Sequence, residues 1–229
     1  FELIAEFKVS SGVFKGKWFD ANFKRNSLNS EQKEERIWKL EDAKRIFNLV
    51  KNKDGISSET TKKSTQSPPL LFDLTSLQRE ANSKFGFSAK NTLGLAQSLY
   101  DKHKLLTYPR TDSKALPEDY VETVIESIKS LKGINLFASF CEKALNYGIL
   151  KSNIKVFNNK KISDHFAIVP TGLIPKKLTE PEQKLFDLVV KRFLACFYPP
   201  AEFLNTKRTT IIENNYFKTE GKIILKHGW

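Results

Sequence analysis

The chain has 229 residues, enough for one large domain or two modest ones with a true core. Lysine and arginine number 38 against 26 acidic residues, and the net charge of +12 favours an anionic partner such as nucleic acid. No run of 18 apolar residues and no signal peptide occur, so a membrane protein is excluded from the reading and a soluble, cytoplasmic one is expected. Cys141 and Cys196 lie far apart in apolar helical patterns, as buried thiols of a reducing compartment rather than a disulfide or a metal site. Methionine is absent and the chain opens on a strand-like segment, which reads as an excerpt of a larger protein.

Residues 2–19 read as a hairpin: Leu3, Ala5, Phe7 and Val9 alternate, Ser11-Gly12 turns, and Val13 to Phe19 returns. A helix N-capped by Ser30 follows, with Ile37, Leu40, Ala43, Phe47 and Val50 on one face and ten charges, five of each sign, solvating the other. Residues 51–67, rich in Ser, Thr and Lys, read as a loop or linker up to Pro68-Pro69. A Thr75/Gln78 capping box then opens a helix with the stripe Leu74, Leu77, Ala81 and Phe85, ending near Gly86. Ser88 caps a second helix, whose Leu93, Ala96, Leu99 and Tyr100 face inward. With a short strand over Leu105 to Tyr108 the pair is similar to a helix-turn-helix with a wing, although most helical hairpins are packing units.

The stretch Thr107-Tyr108-Pro109-Arg110-Thr111-Asp112-Ser113 carries the chemistry. A phenol of reference pKa near ~10 is protonated at neutral pH, so as a nucleophile it needs a partner that favours the phenolate or the transition state. Pro109 biases Tyr108 towards extended backbone, which in a strand puts Tyr108 and Arg110 on one face. A phosphodiester held by the Arg110 guanidinium would then lie beside the phenol oxygen. The bland reading of Tyr108 is a core aromatic with its hydroxyl satisfied. Asp112 and Ser113 are expected to tie down the following turn through side-chain to backbone bonds.

Pro117 fits the first turn of a helix with Val121, Val124, Ile125, Ile128 and Leu131 inward, ending at Gly133, and another helix spans Phe137 to Tyr147, stopping at Gly148. Lys151 to Lys161 is a basic loop, either a phosphate path or merely soluble. His165 could be a phosphate ligand, a proton carrier or a structural residue. A Thr179/Glu182 capping box opens a helix through Leu185, Phe186, Val189, Phe193 and Phe197, terminated by Pro199-Pro200. Two strands close the chain, Ala201 to Ile212 and Tyr216 to Lys226, with a turn at Asn214-Asn215 and a break at Gly221. Neither terminal hairpin buries enough to stand alone. Pairing them gives an α+β architecture: a discontinuous β-rich domain, residues 1–69 and 199–229, with a mainly helical, winged-helix-like domain, 70–198, inserted.

The Tyr-Pro-Arg-Thr-Asp-Ser word, its lead-in Leu99-Tyr100-Asp101-Lys102 and Leu105-Leu106-Thr107, and Asp164-His165-Phe166-Ala167-Ile168-Val169-Pro170-Thr171 downstream resemble the motifs of type IA DNA topoisomerases, with Pro109 most like the topoisomerase III branch. The resemblance covers essentially the whole chain but only the middle of the family's length. It implies a polar strand before Pro68-Pro69 and a β-rich arch with a CAP-like domain inserted at its far end. It also implies Tyr108, Arg110 and His165 as catalytic residues, and Lys90, Lys102, Lys104 and Thr111 as DNA contacts. Phe166 departs from the pattern, in a position often polar among relatives.

The activity implied is single-strand cleavage through a 5′-phosphotyrosine, strand passage and ATP-independent religation, on single-stranded or negatively supercoiled DNA, by a monomer at a bacterial nucleoid or plasmid. Mg²⁺ and its acidic triplet belong to a Toprim domain; no triplet of that spacing occurs here, so no metal site is expected in this chain and the chain alone is expected to be inactive. The competing reading is a non-catalytic basic module in which Tyr108 stacks on a base.

Overall fold

The structure is a computed structural model that describes residues 1–24, 32–148 and 155–229. The expected cap Ser30 and the first part of the basic loop, 151–154, lie outside those residues. The chain forms two compact units, residues 1–65 with 202–226, and residues 66–201 with 227–229.

The first unit is built on a sheet. Strands β1 (Ile4–Val9) and β2 (Gly12–Phe19) pair antiparallel from Ile4↔Lys17 to Val9↔Gly12, with the turn one residue earlier than expected, at Ser10-Ser11. Helix α1 is Leu40–Val50 and strand β3 is Ile56–Gln66; the closing strands are β4 (Ala201–Ile212) and β5 (Asn215–Lys226). The sheet order is β1-β2-β5-β4-β3, so the two terminal hairpins do share one sheet, and the β2–β5 and β4–β5 ladders are antiparallel. Glu213 and Asn214, both left-handed at φ 46° and 58°, make the tight turn into β5. Gly221 does not break β5. It pairs with Thr206 in an unbroken ladder, because a glycine keeps its backbone donors, and the irregularity falls instead at Glu202/Phe203.

Composition misreads 51–67. Most of it is β3, exposed along its whole length and therefore without the apolar alternation that marks a half-buried strand. Its place beside β4 comes from the backbone ladder and from cross-strand pairs: Ser57 with Thr210 at 2.8 Å, Asn205 donating to Ser64 at 2.6 Å, and Arg208 with Glu59. The polar strand implied by the family words is thus present.

Helix α1 starts at Leu40 and buries Ile46 and Val50 against Ile212 and Phe217, with Ala43 beside them. Phe47 and Leu40, expected inward, are 45% and 48% exposed. Ile37, Ala43 and Val50 enter this core as expected, and Ile46 takes the place expected of Phe47. Gly16 sits where a Cβ would come within 2.9 Å of the Phe7 ring and 3.0 Å of Phe217 Cβ, so this face of β2 admits only glycine without a shift.

The second unit is helical around one core that includes Phe72, Leu77, Leu99, Leu106, Phe137 and Phe186. Its helices are α2 (Leu74–Phe85), α3 (Ala89–Asp101), α4 (Val121–Leu131), α5 (Ala138–Tyr147) and α6 (Glu180–Ala195). Asp73, not Thr75, caps α2: its carboxylate accepts from Ser76 N–H at 2.7 Å while Ser76 Oγ takes the Asp73 N–H at 3.2 Å. The true box lies two residues earlier, where Leu74 can still return its N–H to Thr111 C=O at 3.0 Å. Asp73→Ala is expected to lower the urea midpoint by the equivalent of about 1 kcal/mol, with Asp73→Asn recovering most of it. Ser88 caps α3 as expected, accepting from Asn91 N–H, and Gly86 ends α2 in the left-handed region at φ 70°.

Pro117 lies in a turn before α4 rather than in its first turn: Tyr120 N–H returns to Pro117 C=O, and the helix begins at Val121. No wing strand forms over 105–108, only an isolated bridge Leu106↔Pro170. Both thiols are free and buried, Cys141 raised to about 11 and Cys196 to about 12 by burial, which keeps them protonated and unreactive.

A buried carboxylate joins α3 to α6. Glu182, 7% exposed, accepts from Ser98 Oγ at 2.7 Å, Thr179 N–H at 2.9 Å and Thr179 Oγ1 at 2.8 Å. His103 Nε2 lies 3.3 Å from it, too poorly aligned to hydrogen-bond. The Ser98 hydrogen bond first, then the Thr179 backbone, holds its pKa down to about 2 from 4.5. Because the folded value is the depressed one, this stabilisation is complete above pH 4.5 and lost as pH falls through about 2. Glu182→Gln is expected to lose on the order of 2–3 kcal/mol at neutral pH. In urea titrations the gap between the two proteins should then close progressively between pH 4.5 and 2.

Candidate active site

The Thr107 to Ser113 stretch lies in irregular chain, tied to residues 167–169 through Thr107 and to the start of α2 through Thr111. Thr107 does most of the clamping: its N–H donates to Val169 C=O at 3.0 Å, its hydroxyl donates to Ala167 C=O at 2.9 Å, and the same hydroxyl accepts from Val169 N–H at 2.9 Å. Thr171 N–H returns to Leu105 C=O, and Ile168 N–H to Phe72 C=O. Residues 105–107 and 167–171 are therefore locked in register, and the two motifs, far apart in sequence, become one site.

Pro109 is buried, and a bend at Pro109-Arg110 takes the place of a strand, so strand alternation does not govern where Tyr108 and Arg110 point. Tyr108 is half-buried. Its ring lies 4.3 Å from that of His165 at 46°, and the edge of Tyr100 meets it at 5.5 Å and 78°. Among the described residues the Tyr108 hydroxyl has no hydrogen-bond partner, so the satisfied core tyrosine is not what is seen. Arg110 is exposed and makes no hydrogen bond or ion pair among the described residues. His165 is exposed too, and its backbone is fixed by Thr111, whose hydroxyl donates to His165 C=O at 2.8 Å.

Thr111 is thus a buried support of the site, 7% exposed, with its hydroxyl committed inside the protein. Lys90, at the start of α3, and Lys102 and Lys104, after its end, are exposed. Lys104 borders the site directly: left-handed at φ 56°, it accepts the Thr171 hydroxyl on its C=O at 2.7 Å and holds its ammonium 5.7 Å from the Tyr100 ring centroid. Ser113 secures the turn as expected, donating to Lys161 C=O at 2.9 Å and accepting from Ala115 N–H at 3.1 Å. Asp112 instead pairs with a side chain, accepting from Ser163 Oγ at 3.1 Å.

An open cleft of about 350 Å³ lies over Tyr108, lined also by Tyr100, Lys104, Thr107, Phe166 and Thr171. Tyr100 and Thr107 stand in the lead-in word, but their periodicity marked Tyr100 only as an inward residue and gave Thr107 no role. The Phe166 ring packs on Tyr120 at 5.0 Å and closes one side of the cleft with hydrocarbon.

An α+β chain with a β-rich unit, a helical unit and an open, unpartnered tyrosine on the latter is what the sequence words imply. A family model described as DNA topoisomerase matches residues 1–229. DNA topoisomerase 3 of Bacillus cereus is 41% identical over 218 residues, 93% of this chain and 28% of that protein. DNA topoisomerase 3 of Bacillus subtilis is 38% identical over 204 residues, 88% of this chain and again 28% of the relative. The solved full-length topoisomerase I of Thermotoga maritima has the same fold over 99% of this chain and 34% of its own, with a TM-score of 0.61 and 22% identity. The chain belongs to the type IA DNA topoisomerase family. It spans little more than a quarter of the length of the Bacillus relatives, both named DNA topoisomerase 3.

Proposed function

We propose that this chain supplies the arch and the tyrosine-bearing domain of a type IA topoisomerase of the topoisomerase III kind, with residues 1–69 and 199–229 in the arch and 70–198 carrying the nucleophile. The Tyr108 oxygen bonds to a DNA phosphorus as the bond to the 3′-oxygen breaks; the 5′-phosphate remains on Tyr108 and the 3′-oxygen leaves with a proton. Religation is the reverse transesterification, so the energy of the bond is kept without ATP. Arg110 meets the charge that develops on the non-bridging oxygens. His165 stands beside the ring, where its imidazole can hold a phosphate oxygen or carry the phenolic proton. Lys90, Lys102 and Lys104 are basic positions for the strand's backbone. The observation that carries this reading is a phenol with no hydrogen-bond partner among the described residues, open to a cleft and with its ring against that of His165, with an unpaired guanidinium two residues on.

Among the described residues no three His, Cys, Asp or Glu side chains gather as a cation would need. The donors here do not fit Mg²⁺, so the metal is assigned to a Toprim domain elsewhere in the enzyme and no step above runs through it. The substrate is a single strand, or negatively supercoiled DNA that opens one, and the setting is the cytoplasm of a bacterium, at the nucleoid or a plasmid, with the enzyme acting as a monomer.

The test joins this chain to the Toprim-containing remainder of the same enzyme with Mg²⁺ and end-labelled single-stranded DNA, and examines protein-bound label after denaturation. Fragments linked through their 5′ end, with free 3′-hydroxyls on the other piece and no adduct from the chain alone, are expected. Binding without any adduct would leave a non-catalytic scaffold.

A further inference from the structure

Besides the Tyr108 cleft, the helical unit carries a second concavity, of about 380 Å³, which shares no residue with it. It lies between α5 and α6 and is closed by His227–Trp229. Aromatic and basic side chains alternate along α5 at helical spacing, and α6 with the segment after it adds one of each. Phe140, Lys143 and Tyr147 succeed one another on α5, and Lys191 and Tyr198 follow the same rule along and just beyond α6.

The rings are open but held. Phe140 is 45% exposed and Tyr147 53%. Tyr198 donates its hydroxyl to Phe140 C=O at 2.9 Å and meets Tyr147 edge-on at 5.3 Å, and Trp229 Nε1–H donates to Gln66 C=O at 3.0 Å. Gly228 is what lets Trp229 lie there. At φ 63° it packs so closely that a Cβ would fall 2.5 Å from Ala201 N and 2.7 Å from Pro199 C=O. Lys143 and Lys191 are exposed, make no ion pair among the described residues, and no acidic side chain lines the hollow.

Exposed rings on fixed backbones, interleaved with unpaired ammonium groups, have the chemistry of a base-stacking platform for single-stranded nucleic acid. A protein partner of apolar surface would find two uncompensated cations inside the hollow, whereas a strand brings one phosphate per base. We propose that this hollow is an accessory site that stacks a base of single-stranded DNA on Phe140 and holds its phosphate with Lys143 and Lys191. The proposal rests on the reading that the chain acts on DNA.

The 229-residue chain would be titrated with a fluorescent oligothymidylate by anisotropy at several salt concentrations. Phe140→Ala is expected to weaken binding about 10-fold or more. The exposed pair Lys143→Glu/Lys191→Glu is expected to weaken it and also to flatten the salt dependence by about 0.7 per lost phosphate contact, which a purely structural change would not do. Unchanged affinity and slope in the charge variant, with an unchanged melting temperature, would overturn the proposal. So would thymidine monophosphate competing as well as the oligomer, which would make the hollow a mononucleotide site. If the pocket variants bind normally while Arg110→Ala binds weakly, the accessory site fails and the Tyr108 reading stands. If the wild-type chain binds no oligomer, the accessory site fails, and the Tyr108 reading is decided by the adduct test on the reconstituted enzyme.

Discussion

Tyr108→Phe is expected to abolish the covalent adduct in the reconstituted enzyme while leaving the fold and DNA affinity close to those of the parent. The substitution removes one oxygen that makes no hydrogen bond among the described residues, so no buried partner is stranded and the usual penalty of deleting a satisfied hydroxyl does not apply. The ring keeps its contacts with His165 and Tyr100. The variant therefore separates chemistry from structure: gel shifts and melting temperature stay near those of the parent, and denaturing gels show no protein-linked DNA. Adducts persisting in the variant would remove Tyr108 from the reaction.

The second large effect is at Arg110. An exposed guanidinium without an internal partner is free to take a phosphate in bidentate fashion, and a single preorganised donor aimed at developing charge is worth about 10²–10³ in rate. Arg110→Ala should lower the single-turnover cleavage rate by that order. Arg110→Lys keeps the charge but loses the planar fork, so it should recover only part of the loss. Stability should change by no more than about 0.5 kcal/mol, since nothing in the fold leans on the side chain. A cleavage rate within a few-fold of the parent in Arg110→Ala would show that the charge is met by another group.

Most of this could be read from the chain because helices advertise themselves by period. The Val121 to Leu131 and Leu185 to Phe193 patterns, the Ser88 cap and the Thr179/Glu182 box appear where expected. The errors have a common origin in segments whose structure depends on neighbours. β3 has no apolar face, so only its pairing with β4 makes it a strand. The Asp73/Ser76 box wins over Thr75/Gln78 because Leu74 is tied to Thr111, a contact invisible in local sequence.

At the site, the words named Tyr108, Arg110 and His165, but the geometry that joins them lies in the Thr107 hydroxyl, the Thr111 bond to His165 and the left-handed Lys104. These are long-range side-chain to backbone contacts, which no periodicity records. Glu182 was placed correctly as a cap, yet its burial against Ser98 and the resulting low pKa needed the packing of α3 on α6.

The most direct test is to map the linkage itself. The covalent complex of the reconstituted enzyme is digested with protease and nuclease, and the nucleotide-bearing peptide is sequenced by mass spectrometry. The expected result is a single modified peptide carrying a 5′-linked nucleotide on the tyrosine between Thr107 and Pro109. A nucleotide on Tyr100, whose ring lies only 5.5 Å away, on Tyr120, or on a residue outside this chain would contradict the assignment of Tyr108 as the nucleophile.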